Sequence, residues 1–560
     1  MQPALLLGFA IVAITALAAA VARRLRVPHS ILLVLLGAVL AFVPGLPRVA
    51  LDPELVLLLF LPPLLYSSGV GMSWRGFRAN LRPIMLLAIG CVLFTAAAVA
   101  AAGHWLLGLP WAVGFVLGAV VSPPDAVAPM AIARRLAVPH RLLTVLEGEG
   151  LVNDATALIL FSFAVAAVTS GGVRLAEAAG SFVLIVTGEL LWGVGVGWAM
   201  LRLRRLVHDP QVEIVLALLT PYLAFWPPHD LGGSGVIATV AAGLYVSWNG
   251  PRFIAAPTRL QGFFVWGLAV HLVEGVVFLL TGLQAHMVVS GLSAADWGQM
   301  LRAGLVVSLV VIVVRFVWVF PATYLPRWLR PSLRASDPLP TWQYPFLIGF
   351  TGIRGVVSLA AALSIPLAAG DAPFPQRDLV LFATFCVILV TLVGQGGALP
   401  WVIARLGLAD AGRREAAAAK RREVAARIEG AEAALARLDE LQRDGASAAA
   451  IATLRQRHQD RRCQFAGTAD EHVPGSPVAD SARLEIQLIE AERRRIAELY
   501  GRAAITDDAR RRIERELDLE DARIRHAAES ATGDQLGADP DTARTDQEDE
   551  ESDAIPGGGS

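Results

Sequence analysis

The stretch EGEGLVNDATALILF, residues 147–161, places acidic side chains in a run that is otherwise apolar. A charge at the centre of a membrane-spanning helix costs about 2.5–3.5 kcal/mol on insertion scales, so each such group needs a partner or a function. On a helix, Glu147 and Asp154 share one face, while Glu149 and Asn153 share another. A carboxylate in an apolar environment takes up one proton or one small cation. The stretch therefore predicts a site centred on Asp154, with Asn153 beside it, at which protons and cations compete.

A second acidic side chain lies among prolines in AVVSPPDAVAPMAI. Pro123 and Pro124 have no N–H to donate, so a helix must break beside Asp125. Unpaired backbone at membrane depth is tolerated only where it lines a polar cavity or is buried in protein. We therefore expect Asp125 to lie at an internal polar site, where its charge offsets the positive N-terminal end of the following half-helix.

A complementary interruption occurs in IGFTGIRGVVSLAAALSIP, where Gly349, Gly352 and Gly355 surround Arg354. This pattern also predicts a broken helix, with the guanidinium of Arg354 offsetting carbonyl ends. Interrupted spans at corresponding positions of two halves are expected of an inverted-repeat transporter. The inferred symmetry rests on spacing and hydropathy, since the residues themselves show no visible repeat.

Arg315 stands within the long apolar run VVSLVVIVVRFVWVFPATYLP. An unpaired arginine is unfavourable there, and Glu149 or Glu147 is the expected partner. Snorkelling of Arg315 toward the membrane surface is the alternative. For Asp154, the alternative to ion binding is a hydrogen bond to a neighbouring helix.

The elements that carry these residues are apolar segments. Hydrophobic residues make up 55% of the 560 residues, and the chain to about residue 408 is a succession of stretches long enough to span a bilayer. Thirteen spans are predicted, at 4–22, 29–47, 54–70, 83–107, 111–133, 139–168, 177–201, 211–227, 232–248, 262–283, 300–325, 343–366 and 378–405. The chain is thus predicted to be an all-α polytopic membrane protein.

Arginine predicts the orientation. Alternate loops contain seventeen arginines, namely Arg23, Arg24, Arg26, Arg75, Arg78, Arg82, Arg134, Arg135, Arg141, Arg202, Arg204, Arg205, Arg252, Arg259, Arg327, Arg330 and Arg334. The opposite loops contain four, namely Arg48, Arg174, Arg302 and Arg377. Because positively charged loops remain in the cytoplasm, we expect the N-terminus outside and the C-terminal tail inside the plasma (inner) membrane.

Beyond residue 408 the composition changes to Arg, Glu and Ala with scattered leucines. The pattern predicts amphipathic helices, with a short coiled coil, over 409–530, and an acidic, disordered end over 531–560. Cys91, Cys386 and Cys463 are far apart and indicate neither a disulfide framework nor a metal cluster. No cofactor is predicted, and no basic pattern indicates nucleic-acid binding.

At five places the chain resembles the monovalent cation:proton antiporter-1 family of bacterial NhaP-like and animal NHE-like exchangers. These are FLPPLLYSSG, SPPDAVAP, EGEGLVNDATAL, the isolated Arg315 and GIRGVVSLA. The resemblance covers roughly residues 1–408. The resemblance implies a thirteen-helix, NhaA-like inverted-repeat fold with crossed discontinuous helices, in which a core domain moves against a dimerisation domain. It also implies a homodimer in membrane lipid.

The resemblance also assigns roles to residues. Asp154 binds cation and proton alternately, so the metal it holds is the transported Na⁺, while Asn153 shapes the site. Glu149 pairs with Arg315, and Asp125 and Arg354 are similar to the charges that stabilise the crossed helices.

Two departures from the family pattern bear on ion choice. Ser67 stands where many members have glutamate, and Gly150 stands where many have serine. Glu274, one turn after His271, stands where relatives often have asparagine. His271 and Glu274 are expected to form a second titrating or gating element. The alternative is a hydrogen-bonded pair that packs two helices. Ser67, Ser122, Glu147, His271 and Glu274 are the accessory candidates.

The expected function is electroneutral exchange of one Na⁺ (or Li⁺ or K⁺) for one proton by alternating access, since Asn153 leaves one charge on the Asn-Asp pair. A K⁺-preferring exchanger is the first alternative. Two further alternatives are a cation channel that uses the same acidic cavity and an intramembrane aspartyl protease that uses Asp125 and Asp154.

Overall fold

A computed structural model describes residues 2–25, 27–44, 52–170, 175–207, 209–290, 297–370, 372–467, 477–502 and 504–532. The chain divides into two compact units, Met1–Glu415 and Ala416–Ser560. This division lies slightly beyond the end of the transmembrane region predicted at residue 408.

In its described residues, the first unit is helical apart from one small hairpin. Its elements up to the middle of the chain are α1 Gln2–Arg24, α2 His29–Leu40, α3 Pro53–Leu55, α4 Leu61–Gly71, α5 Trp74–Ala79, α6 Leu81–Met85, α7 Val92–Leu107, α8 Trp111–Val121, α9 Val127–Arg135, α10 His140–Ser170, α11 Leu175–Leu206 and α12 Pro210–Asp230. They continue with α13 Val236–Asn249, a 3₁₀ turn Gly250–Arg252, α14 Ala256–Leu283, α15 Ala285–Ser290, α16 Trp297–Leu329, α17 Pro331–Ser336, α18 Gln343–Phe350, α19 Val356–Leu363, β1 Ala368–Ala369, β2 Ala372–Pro373, α20 Arg377–Leu389 and α21 Gly396–Leu406. The strands β1 and β2 pair antiparallel.

Each of the thirteen predicted spans corresponds to a helix, to a helix with an internal change of pitch, or to two half-helices. Within the described residues, seven helical segments are long and apolar enough to cross a membrane, and three shorter apolar helices accompany them. The span predicted at 29–47 is shorter, because α2 ends at Leu40. Part of its predicted C-terminal end lies outside the described residues.

In the part of the chain that the structure describes, three spans contain a π-helical turn, at Val56–Phe60, Leu86–Cys91 and Val390–Gln395. Such turns widen a helix locally and redirect backbone groups. The Leu86 carbonyl accepts a hydrogen bond from Trp318 Nε1 at 2.9 Å, and the Thr391 hydroxyl accepts one from the Arg354 backbone N–H at 2.9 Å. The apolar sequences of these turns resemble those of ordinary helices, so hydropathy does not predict them.

Small residues allow the helices to approach closely. A Cβ at Gly243 of α13 would lie 3.1 Å from the Cα of Gly69 on α4. A Cβ at Gly114 of α8 would lie 3.0 Å from the Cα of Ala100 on α7. In a membrane, where lipid is as apolar as leucine, such contacts between small residues are a main source of helix association.

Glu189 on α11, a buried acid to which the sequence assigns no role, closes the N-terminus of α13. Its carboxylate accepts hydrogen bonds from the backbone N–H groups of Ser234, Gly235 and Ile237 at 2.5, 3.0 and 3.1 Å. The Ser234 hydroxyl donates to it at 3.0 Å. Gly235 has a φ of +69°, which favours glycine at this turn. Glu189 therefore satisfies helix-terminal N–H groups that have no acceptor within α13.

We expect Glu189→Ala to destabilise the protein by on the order of 3 kcal/mol, because it leaves buried N–H donors unpaired. The measurement is the unfolding temperature of the purified protein in detergent. Glu189→Gln keeps one acceptor oxygen and the shape of the side chain, so its unfolding temperature should fall between those of Glu189→Ala and the parent. An unchanged unfolding temperature in Glu189→Ala would contradict the capping role.

The second unit is helical as well. Its described elements are the later part of α22 Leu408–Arg443, α23 Ala448–Gly467, α24 Pro477–Gly501 and α25 Asp507–Thr532. The helices α24 and α25 pack through an apolar cluster of Ala482, Ile489, Leu517 and Ile524. The acidic end predicted to be disordered, 531–560, lies outside the described residues from 533 onward.

Candidate functional site

The site is built where two broken helices meet. The break between α8 and α9 spans 122–126, and the break between α18 and α19 spans 351–355. The backbone N–H of Asp125 donates to the carbonyl of Ile353 at 2.7 Å. Arg354 Nε donates to the carbonyl of Val121 at 2.6 Å. Both interruptions predicted from the sequence are confirmed, and the two breaks hydrogen-bond each other directly.

Arg354 holds carbonyl groups that the breaks leave without helical partners. Its side chain is 1% exposed, and Nη1 donates to the carbonyl of Gly352 at 2.8 Å in addition to the bond from Nε. An apolar side chain would leave these carbonyls unsatisfied at membrane depth, which is costly. The structure thus places the guanidinium among carbonyl ends at the crossing of the two breaks.

The two carboxylate oxygens of Asp125 have different surroundings. Its Oδ1 accepts a hydrogen bond from the N–H of Val127 at 3.0 Å, at the N-terminus of α9. Its buried Oδ2 has no hydrogen-bond partner in the described part of the chain. A Cβ at Gly355 would lie only 2.6 Å from that oxygen, so the second break must carry glycine to approach Asp125.

Asn153 and Asp154 lie on α10 beside the first break. The side-chain amide of Asn153 is fully buried and donates to the carbonyl of Pro124 at 2.6 Å. Its Oδ1 has no partner among the described residues. Asp154 lines an adjacent cavity. Asn153 therefore joins α10 to the break, and the carboxylate of Asp154 faces the cavity.

Glu149 and Arg315 form a buried ion pair. Arg315 donates through Nη1 and Nη2 to the two carboxylate oxygens of Glu149, at 2.6 and 2.8 Å, and both side chains are 2% exposed. Arg315 Nε also donates to the carbonyl of Ile348 at 3.0 Å. This two-pronged geometry uses the planar guanidinium fully and connects α10, α16 and α18.

The acidic cavity has a volume of about 410 Å³. Among the described residues, the carboxylates of Asp125, Glu147, Asp154 and Glu274 line it. The side chain of Arg134 lines it as well. Glu147 forms an ion pair with Arg134 of α9, a partner that the sequence analysis does not propose for it. The lining uses residues on the α9 side of the first break, whereas α8 packs into a large apolar cluster with α19 and α20. The carboxylates and Arg134 thus line a cavity on the α9 side of the first break, and the α8 side is packed with apolar side chains.

A comparison with known proteins decides what this architecture is. The family model for the transmembrane sodium/hydrogen exchanger matches residues 10–405. The chain belongs to the sodium/hydrogen exchanger family. This is a family of transporters, so the enzymatic alternative, an aspartyl protease, is excluded.

Several known exchangers are similar to this one. An uncharacterized Na⁺/H⁺ exchanger of Mycobacterium tuberculosis is 35% identical over 544 residues, which cover 94% of this chain and 98% of that protein. The sodium, potassium, lithium and rubidium/H⁺ antiporter of Bacillus pumilus is 35% identical over 393 residues, which cover 67% of this chain and 57% of that protein.

A solved structure shows the same fold. The sodium proton antiporter MjNhaP1 of Methanocaldococcus jannaschii superimposes with a TM-score of 0.59 at 19% identity, covering 72% of this chain and 99% of that one. The predicted fold class, an all-α polytopic membrane protein of the antiporter type, is confirmed.

The exchanger's accessory serines differ in whether they line the acidic cavity. Ser67 lines the acidic cavity, and its hydroxyl donates to the carbonyl of Leu64 at 3.0 Å. Ser122 is buried, donates to the carbonyl of Ala119 at 3.0 Å and does not line the cavity. Ser358, which the sequence analysis does not single out, lines the cavity with a buried hydroxyl that has no described partner. Its sequence signal is a polar residue one turn after Arg354.

His29, which has no assigned role in the sequence, lies beside both His271 and Glu274. His29 Nε2 lies 3.7 Å from a carboxylate oxygen of Glu274, and its ring lies 5.4 Å from the ring of His271. The exchanger therefore has a cluster of two histidines and a glutamate between α2 and α14, with Glu274 reaching the acidic cavity. Position 29 follows Pro28 at a predicted span boundary, where a histidine reads as an interfacial residue.

Gly150 of α10 packs directly against Ala126 of the first break. A Cβ at this position would lie 2.6 Å from the Cβ of Ala126 in the first break, so a serine here would force α10 away from the break. The exchanger thus combines a small residue on α10 with close contact to the break.

Proposed function

We propose that the protein exchanges Na⁺ for protons across the plasma (inner) membrane, with both ions competing for Asp154. The observation that carries this proposal is the position of Asp154. It is a carboxylate in a cavity at the helix crossing, and no described group donates a hydrogen bond to it. Such a group is available to bind a proton or a cation, whereas Glu149 is fully engaged by Arg315.

The geometry supports an inward-facing state. Arg134 and Arg135 lie in the last turn of α9, at a surface that the arginine distribution predicts to be cytoplasmic, with the N-terminus outside and the C-terminal tail inside. The acidic cavity lies on this side of the break, and apolar packing closes the other side. In this state Asp154 exchanges ions with the cytoplasm.

The proposed cycle has two half-steps. Facing one side, Asp154 loses a proton and accepts Na⁺, with the carbonyl-type oxygen of Asn153 and the carboxylate of Asp125 close to the ion. The core then moves, and on the other side a proton displaces the metal. Because a bare carboxylate is costly to move through an apolar barrier, the loaded forms are the ones that cross.

The two crossed helices move as part of one core in this proposal, against a dimerisation domain of a homodimer embedded in lipid. The bonds between the breaks support a common motion, since sliding one half-helix past another would break them. The tail, 409–530, is proposed to regulate or stabilise this assembly.

We expect exchange to be electroneutral, with one Na⁺ for each proton, because Asn153 leaves Asp154 as the charged member of its pair. In proteoliposomes, the Na⁺ gradient that just balances a fixed pH gradient should then be independent of membrane potential. The potential is set with a gradient of the permeant anion thiocyanate. Exchange of two protons for each Na⁺ would instead move the balance point about tenfold per 60 mV, and that result would contradict the stoichiometry.

K⁺ exchange is the second candidate. The name of the Bacillus pumilus relative includes potassium, lithium and rubidium, and Ser67 and Gly150 remove oxygens that many family members have near the ion. The test is to drive proton movement in proteoliposomes with Na⁺, K⁺ or Li⁺ separately at several pH values. A tenfold lower half-saturating concentration for K⁺ than for Na⁺ would favour the second candidate.

A further inference from the structure

A second cavity lies apart from the acidic cavity, and we name it the arginine cavity. It has a volume of about 520 Å³ and lies between the start of α10, the C-terminal half of α16, the α6 region and α18. Arg82, Arg141 and Arg327 line it. Neither Asp125 nor Asp154 does. The ion-exchange cycle therefore leaves this cavity without a role.

The three arginines converge on Asp337. Arg82 and Arg141 each donate to its carboxylate at 2.8 Å, and Arg327 donates at 2.7 Å. Burial alone would raise the pKa of Asp337, but the three guanidinium groups hold this pKa below its usual range. Asp337 thus stays ionised and holds the arginines together.

The arginines are not fully neutralised. Among the described residues that line the cavity or contact its arginines, the charged side chains are Arg82, Arg141, Arg327, Asp337 and Glu415. Three guanidinium groups against two carboxylates leave one positive charge. In addition, the side chain of Arg82 lines the cavity and is 30% exposed. The cavity thus offers a charged donor suited to an anionic oxygen.

Much of the remaining lining of the cavity is apolar, and we call these residues the apolar wall. Its lining includes Leu86, Leu87, Val145 and Val319 from membrane-spanning helices, and Ala322 lies on the same wall. A site that joins arginines to such a wall fits an amphiphilic ligand better than a soluble ion.

Aromatic side chains place the cavity at a membrane surface. Tyr344 lines it, while Trp328 and Trp342 at the neighbouring helix ends are 76% and 55% exposed. Tryptophan and tyrosine concentrate at the level of lipid headgroups. Arg82, Arg141 and Arg327 also belong to the arginine-rich loops, so this surface is the predicted cytoplasmic one.

We propose that the arginine cavity binds an anionic phospholipid of the cytoplasmic leaflet, with its phosphodiester on Arg82 and its glycerol and upper acyl carbons along Leu87 and Val319. Basic pockets between transmembrane helices are suited to such headgroups. A phosphodiester carries one negative charge and matches the remaining positive charge. The bound lipid would connect α10, which carries Asp154, to α16, which carries Arg315.

The test uses the full chain purified in detergent, with added phosphatidylglycerol, phosphatidylcholine or inorganic phosphate. Retained lipid is counted by native mass spectrometry, and the unfolding temperature is measured for each addition. We expect phosphatidylglycerol alone to bind and to raise the unfolding temperature. In Arg82→Gln, binding should weaken about tenfold, as expected for loss of one charged hydrogen-bond donor.

Two further variants make the result specific. Arg252→Gln removes an exposed arginine on the same predicted face outside the cavity and should bind phosphatidylglycerol as the parent does. Ala322→Phe fills the apolar wall and leaves the arginines in place, so it should also weaken lipid binding. It provides the test if Arg82→Gln fails to fold. Binding of phosphatidylglycerol by both Arg82→Gln and Ala322→Phe at the level of the parent would overturn the proposal. An equal effect of phosphatidylcholine, or of inorganic phosphate, would also overturn it.

Discussion

Asp154→Asn is expected to reduce Na⁺-driven proton movement in proteoliposomes to the level of protein-free vesicles. Asparagine has nearly the same shape, so the packing of α10 against the first break should survive. It cannot take up and release a proton in the accessible pH range, and it offers Na⁺ an amide oxygen without charge. Both half-steps of the exchange are therefore lost together.

The matched control for this experiment is Ser162→Ala on the same helix. Ser162 bonds the carbonyl of Leu158 within α10 and does not line the acidic cavity, so exchange should continue at the rate of the parent. Unfolding temperatures of both variants should agree with that of the parent. Retention of exchange by Asp154→Asn would disprove the assignment of the binding carboxylate, whichever cation is used.

Removal of one member of the Glu149–Arg315 pair should cause the largest loss of stability. Both side chains are 2% exposed, so Glu149→Met leaves a buried guanidinium without its carboxylate, and Arg315→Met leaves a buried carboxylate. Breaking a buried ion pair in this way typically costs about 3–5 kcal/mol. That is a large share of the roughly 5–15 kcal/mol by which folded proteins are stable, so we expect poor accumulation and a strongly lowered unfolding temperature.

The double variant Glu149→Met/Arg315→Met tests whether the two residues stabilise the protein as a pair. With both charges removed, no uncompensated charge remains, and the unfolding temperature should recover toward that of the parent. The loss in the double variant should thus be smaller than the sum of the single losses. If the losses simply add, the two residues do not act as a pair.

The parts of the fold that could be predicted from the sequence are those with a local physical cause. Pro123 and Pro124 cannot donate backbone hydrogen bonds, and glycines surround Arg354, so both breaks were visible in the sequence. The cost of a buried charge also made Glu149 or Glu147 the expected partner of Arg315, and the structure pairs Arg315 with Glu149.

What could not be predicted depends on contacts between distant segments. Arg82 and Asp337 are 255 positions apart, and neither lies in a pattern that indicates the other. Glu189 reads as an isolated acid in an apolar helix until the N-terminus of α13 is placed beside it. Helix periodicity shows which face a residue occupies, but the neighbour on that face follows from the packing of the whole unit.

The crossing of the broken helices has a consequence for how such proteins diverge. The hydrogen bond from Asp125 to Ile353 uses main-chain atoms at both ends, and the carbonyl of Val121 that receives Arg354 is also main chain. Substitution at 121 or 353 leaves these acceptors in place, and at 125 only proline would delete the donor. The junction is therefore insensitive to the side chains at 121 and 353, whereas it depends on the guanidinium of Arg354 and on glycine at 355. A lineage can thus change the side chains at 121 and 353 while inheriting the same crossing, provided that it keeps the arginine and the glycine.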